Sequence, residues 1–91
     1  MAQVVELHPD RARLRVAAEV RAWKGRLRMS QAALGKLLGI SQAAVSARLT
    51  GATAFTLDEL DTLAAFFGVD ARDLMGSPVP RQEESDTRQA A

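Results

Sequence analysis

The chain contains no cysteine and one histidine, His8. Disulfides and thiolate metal sites are therefore excluded, and a reducing compartment fits. A zinc site built from His and Cys lacks its ligands. The lone histidine lies in an arm read as flexible, which is no basis for a Ser-His-acid triad. No glycine-rich phosphate loop is present either. An enzyme is not expected, nor a cofactor, nor a metal. No apolar run approaches the roughly 18 residues that a membrane span needs. The opening MAQVVELHPDRAR lacks the basic-then-apolar order of a secretory signal. The expected location is cytoplasmic, with no membrane partner. Aromatics make up 4% of the chain, so Leu, Val and Ala must fill the core. Period-two alternation is absent, which excludes a sheet.

What is present is 91 residues, enough for one domain. The net charge is +1, but it is unevenly distributed. Residues 1–51 carry nine Arg or Lys against three Asp or Glu, and residues 52–91 carry three against eight. The basic half suits a polyanion; the same charges also suit plain solvated helix faces.

Helical punctuation is frequent. Asp10 is placed to cap a first helix running to about Arg28, with Val16, Val20, Trp23 and Leu27 on one apolar stripe. Ser30 opens a second helix with Leu34, Leu37 and Leu38 inward, and Gly39 ends it. Ser41 opens a third over 42–50, with Val45 and Leu49 inward, and Gly51 ends it. Thr56 and Glu59 form a capping box for a fourth, with Leu57, Leu60, Leu63, Ala64 and Phe67 inward and Gly68 as its stop. Asp70 caps a last turn through Leu74. The expected fold is all-α and five-helical. Residues 1–9 read as a flexible arm, 10–76 as the domain, and 77–91, with its prolines and mixed charges, as a disordered tail.

The segment SQAALGKLLGISQAAVSARLTG, residues 30–51, holds two short helices around one glycine turn. That is a helix-turn-helix. Gly35 offers a bare surface where the helices cross. In this motif the second helix enters the DNA major groove and presents its first residues to base edges. The first helix aims its free N–H groups at phosphate. Gln31 is placed to hold a phosphate, and Gln42 to pair with adenine.

Residues 30–75 resemble the lambda-repressor/Cro-type helix-turn-helix family. The resemblance rests on Ser30-Gln31, Leu34, Gly39-Ile40-Ser41-Gln42, Val45-Ser46, Gly51 and Leu60-x-x-Leu63-Ala64-x-x-Phe67-Gly68-Val69. It implies a five-helix domain that binds operator DNA, usually as a dimer, and regulates transcription. It implies base-facing positions at Gln42, Ala43, Ala44 and Ala47. It implies phosphate-facing positions at Ser30, Gln31, Ser41 and Ser46, and in the loop from Thr50 to Thr53.

This chain departs from that pattern in two ways. The base-facing set is largely alanine, which offers only a methyl to a thymine methyl. Arg48 stands where relatives are often apolar, and is expected to swing towards a guanine or a phosphate. DNA shape would then supply part of the specificity.

Arg11, Arg13, Arg15 and Arg28 are auxiliary candidates for DNA, with simple solvation of the first helix as the other reading. Phe66, Leu74 and Met75 are candidates for a homodimer interface, with assembly only on DNA as one form of it and Phe66 at the core edge as the alternative. Functionally, a small phage or bacterial repressor, Cro-like or an immunity repressor, is expected. The alternative is an antitoxin or adaptor whose acidic C-terminal half meets a protein partner.

Overall fold

A computed structural model describes residues 10–76. The expectations for residues 1–9 and 77–91 lie outside the described residues, as does the side chain of Arg11. Five helices follow one another: α1 (Asp10–Leu27), α2 (Gln31–Leu38), α3 (Gln42–Thr50), α4 (Leu57–Phe67) and α5 (Ala71–Leu74). Among the described residues the secondary structure is wholly helical.

Local chemistry sets the boundaries. Ser30, Ser41 and Thr56 all adopt extended backbone, and each hydroxyl accepts the amide three residues on at 3.0 Å. These bonds satisfy N–H groups that a helix start leaves unpaired. Glu59 completes the expected box by accepting the Thr56 N–H at 2.9 Å. Gly39, with φ 72°, closes α2 in the left-handed region that glycine adopts without steric cost. Arg28 occupies the same region at φ 57° and ends α1 one residue earlier than expected. There the N–H of Met29 reaches the Lys24 carbonyl at 2.9 Å, and that of Arg28 reaches Gly25 at 3.1 Å. This is the paired-bond helix ending usually built on glycine.

The core draws on every helix. Val16, Ala17 and Val20 of α1 meet Leu34 of α2, Val45 and Leu49 of α3, four residues of α4, and Leu74. Trp23 is half-buried and stacks on Phe67, with ring centroids 5.2 Å apart. The α2–α3 crossing is as close as Gly35 led one to expect. A Cβ there would lie 2.8 Å from the Ile40 carbonyl oxygen and 3.4 Å from Val45.

Three expectations about the apolar residues are corrected. Leu27 is 44% exposed and Leu57 is 81% exposed, so neither belongs to the core. Both have a core phase but sit at an end of their helix: Leu27 is the last residue of α1 and Leu57 the first of α4. Leu74 is fully buried and closes the core from α5, so it is not available as an interface residue.

Candidate nucleic-acid interface

The outward face of α3 is formed by Gln42, Ala43, Ser46 and Thr50, all exposed. Ala44 and Ala47 are half-buried and flank it. Val45 and Leu49 hold the opposite face in the core, which fixes the rotation of the helix. Gln42 is the first residue of α3 and stands clear of the body. Its amide carries the donor and acceptor that a base edge requires.

The capping serines keep a chemical reserve. Ser30 and Ser41 each use an oxygen lone pair to accept an amide. The O–H of each remains a donor, suited to a phosphate oxygen. Thr50 is differently engaged. Its hydroxyl donates to the Ala47 carbonyl at 3.0 Å and accepts the Ala52 N–H at 3.3 Å. Thr50 therefore braces the turn after α3. Thr53 is exposed, and its N–H donates to the Ala47 carbonyl at 3.1 Å.

A cleft of about 510 Å³ opens beside α3. Arg21, Lys24 and Gly25 of α1, Gln31 of α2, and Ser46 and Thr50 of α3 line it, with Leu49. Two cations, an amide and hydroxyls are thus gathered by three helices. Arg21 donates to the Leu49 carbonyl at 2.6 Å, which satisfies an unpaired carbonyl near the end of α3. Arg21 and Lys24 were missed by motif reasoning, because they sit one helix before the motif. The chain carried a signal for them. Residues 20–57 contain six basic residues and not one acid. Consistently, α2 and α3 have no acidic residue in their first turn, whereas α4 has Asp58 and Glu59. The two helix ends left without a local carboxylate are those of the motif, and their dipoles are free to meet an external anion.

Arg48 does not behave as expected. Its Nε donates to Glu59 Oε1 at 2.7 Å, and another guanidinium nitrogen reaches the Ala44 carbonyl at 3.3 Å. The side chains of the pair are only 14% and 11% exposed. Arg48 thus ties α3 to the cap of α4 and is turned away from the base-reading face. The cause is its helical position: it follows the buried Val45 by three residues and precedes Leu49. Burial pushes the Glu59 carboxyl up, but the hydrogen bonds from Arg48 and Thr56 and the Arg48 charge outweigh it, leaving its pKa lowered.

The N-terminal arginines serve the body of the domain too. Arg15 donates to the Met75 carbonyl at 3.2 Å and lies against Gly76, so it ties α1 to the end of α5. Arg13 is half-buried on the wall of an apolar groove. Arg28 is exposed at the α1–α2 turn, close in sequence to Ser30. Of the interface candidates, Phe66 is 52% exposed and packs edge-on against Phe67 at 5.9 Å, and Met75 is 39% exposed.

A family model described as helix-turn-helix matches residues 20–74, more than half of the chain. The chain belongs to the helix-turn-helix family of the lambda-repressor/Cro type. Its matched span covers the cleft, the α2–α3 motif and the core helices α4 and α5. In fold the helix-turn-helix protein is similar to a transcriptional regulator from Listeria innocua. The two superpose with a TM-score of 0.66 at 19% identity, over 82% of this chain and 70% of the other. No curated protein matches the chain in sequence. Family membership supports a DNA-binding regulator of transcription. Among the described residues, no helix is long and apolar enough to cross a membrane.

Proposed function

We propose that this protein is a sequence-specific regulator that binds double-stranded operator DNA with α3 in the major groove. We further propose that it acts as a small repressor of bacterial or phage type, in the cytoplasm, and without catalytic activity. The observation that carries the reading is the joint placement of Gln42 and the basic cleft. Gln42 stands exposed at the start of α3, and Arg21, Lys24 and Gln31 flank the same helix. In this arrangement Gln42 reads a base edge and Ala43 offers a methyl contact. Ser30, Gln31, Ser41 and Ser46 hold the phosphate backbone that positions them. With few hydrogen-bonding side chains on α3, sequence-dependent DNA shape contributes the rest. The domain, residues 10–76, carries this function.

The test is selection from a pool of random duplexes at about 0.15 M salt, near physiological ionic strength. Enrichment of a short motif, alone or as an inverted repeat, is the expected result. Weak, salt-labile binding with no motif enriched would leave only non-specific electrostatics and refute the reading.

A further inference from the structure

Few apolar atoms hold α3 in the domain. Of its nine residues only Val45 and Leu49 are buried, and three of the others are alanine. Val45 and Leu49 stand four positions apart, so they form one stripe along the helix. A single stripe decides which face points inward, but it leaves the helix able to roll about that line. Groups on the two flanks must fix the roll. Successive residues advance about 100° around a helix. Arg48 therefore lies roughly 60° to one side of Val45, and Ser46 roughly 100° to the other, with Gln42 on the Ser46 side.

Each flank has one arginine tie. On the first, Arg48 Nε donates to Glu59 Oε1 at 2.7 Å and binds α3 to the cap of α4. On the second, Arg21 of α1 donates to the Leu49 carbonyl at 2.6 Å, beside Ser46 and Thr50 in the same cleft. Neighbouring carbonyls at this helix end have partners within the turn. That of Ala47 accepts the Thr53 N–H at 3.1 Å, and that of Arg48 accepts the Gly51 N–H at 3.2 Å. The Leu49 carbonyl is met instead from another helix, 28 residues earlier in the chain. A guanidinium makes that bond charge-assisted, and so stronger than the neutral bonds beside it.

We propose that Arg21 is a positioning residue for DNA reading: its bond to the Leu49 carbonyl fixes the roll of α3 against α1, and with it the place at which Gln42 meets a base edge. This deepens the operator-binding reading and rests on it. The tolerance is narrow. An α-helix with its side chains has a radius of about 5–6 Å, so a roll of about 10° carries a side-chain tip by about 1 Å. The working range of a hydrogen bond, about 2.7–3.2 Å, is half that width. Arg21 thus acts on base preference through α3, from a helix outside the α2–α3 motif, and needs no base contact of its own.

Duplex selection on the full-length wild type, Arg21→Ala and Leu74→Val tests this, with urea denaturation of each protein alongside. Arg21 is exposed, so Arg21→Ala is expected to fold. Its selected motif is expected to be broader than that of the wild type at the positions α3 reads. Preference at the Gln42 base pair is expected to fall by roughly fivefold or more, the lower end of what a well-made base contact supplies. Leu74→Val, a change in the buried core at α5, is expected to lower the unfolding midpoint and keep the wild-type motif. An unchanged motif in Arg21→Ala, with the log–log salt slope flattened by about one unit, makes Arg21 a phosphate contact only and overturns the proposal. An unchanged motif with an unchanged slope overturns it too. So does equal broadening in Leu74→Val, which traces the effect to lost stability. Absence of any motif in the wild type refutes the operator reading and this proposal with it, whereas a wild-type motif retained by Arg21→Ala refutes this proposal alone.

Discussion

Replacing Gly35 with alanine sets two known effects against each other. In a helix interior, Gly to Ala gains about 0.5–1 kcal/mol by restricting the unfolded chain. At this position the new Cβ would stand 2.8 Å from the Ile40 carbonyl oxygen, a backbone atom, and 3.4 Å from Val45. The Gly35 carbonyl also accepts the N–H groups of Gly39 and Ile40, at 2.7 and 3.0 Å, so the turn has little freedom to move aside. Overpacking of this kind costs about 1–3 kcal/mol. The expected net effect is a loss of about 0.5–2 kcal/mol. Gly25 supplies the control, since it lies in α1 with nothing within 4 Å of a new Cβ. Gly25→Ala is expected to gain about 0.5 kcal/mol. Urea denaturation followed by circular dichroism measures both, and thermal midpoints are expected to move by about 4–8 °C per kcal/mol. A Gly35→Ala protein as stable as wild type would refute the close-crossing account of the α2–α3 turn. So would two variants shifting in the same direction.

Other outcomes follow from the same geometry. Glu59→Gln is expected to cost about 1–3 kcal/mol at neutral pH, because Arg48 loses its charged partner. The folded pKa of Glu59 is lowered. Its contribution is therefore complete above the unfolded value of about 4.3 and is lost as pH falls through the folded value. The gap between wild type and Glu59→Gln should accordingly close in strong acid; a gap independent of pH would count against the pair. Arg28→Gly is expected to raise stability by about 1 kcal/mol, by removing a side chain from the left-handed region; an unchanged midpoint would contradict this. Lys24→Gln is expected to flatten the plot of log affinity against log salt by about one unit while keeping the selected motif. An unchanged slope would remove Lys24 from the phosphate contacts.

Much of the fold was legible because its signals are local. Ser30, Ser41, Thr56 and Asp70 cap helices through bonds to amides two or three residues away. Gly39, Gly51 and Gly68 sit at φ values that few other residues tolerate, so helix ends could be read directly. What could not be read depends on partners distant in the chain. Periodicity gives Leu57 and Leu27 an inward phase, but not how far along each helix the core extends. Leu74 looked peripheral because α5 is one turn long, and only packing against α1 and α4 buries it. The expectation that Arg48 faces DNA rests on its place in the family pattern, which carries no sign of Glu59, a partner on the next helix. One oxygen, Glu59 Oε1, accepts both the Thr56 amide and the Arg48 guanidinium. Arg15 has its partner 60 residues away at Met75. Within the candidate site, Gln31, Gln42 and Ser46 follow from motif phase. Arg21 and Lys24 enter only when α1 is laid across α3.

The central claim is that α3 reads base edges through Gln42. Its most direct test is to repeat the duplex selection with Gln42→Ala. The account predicts that preference at one base pair per half-site collapses, at a cost of about 1–3 kcal/mol against the wild-type motif, while the other positions keep theirs. A selected motif identical to that of the wild type would contradict it.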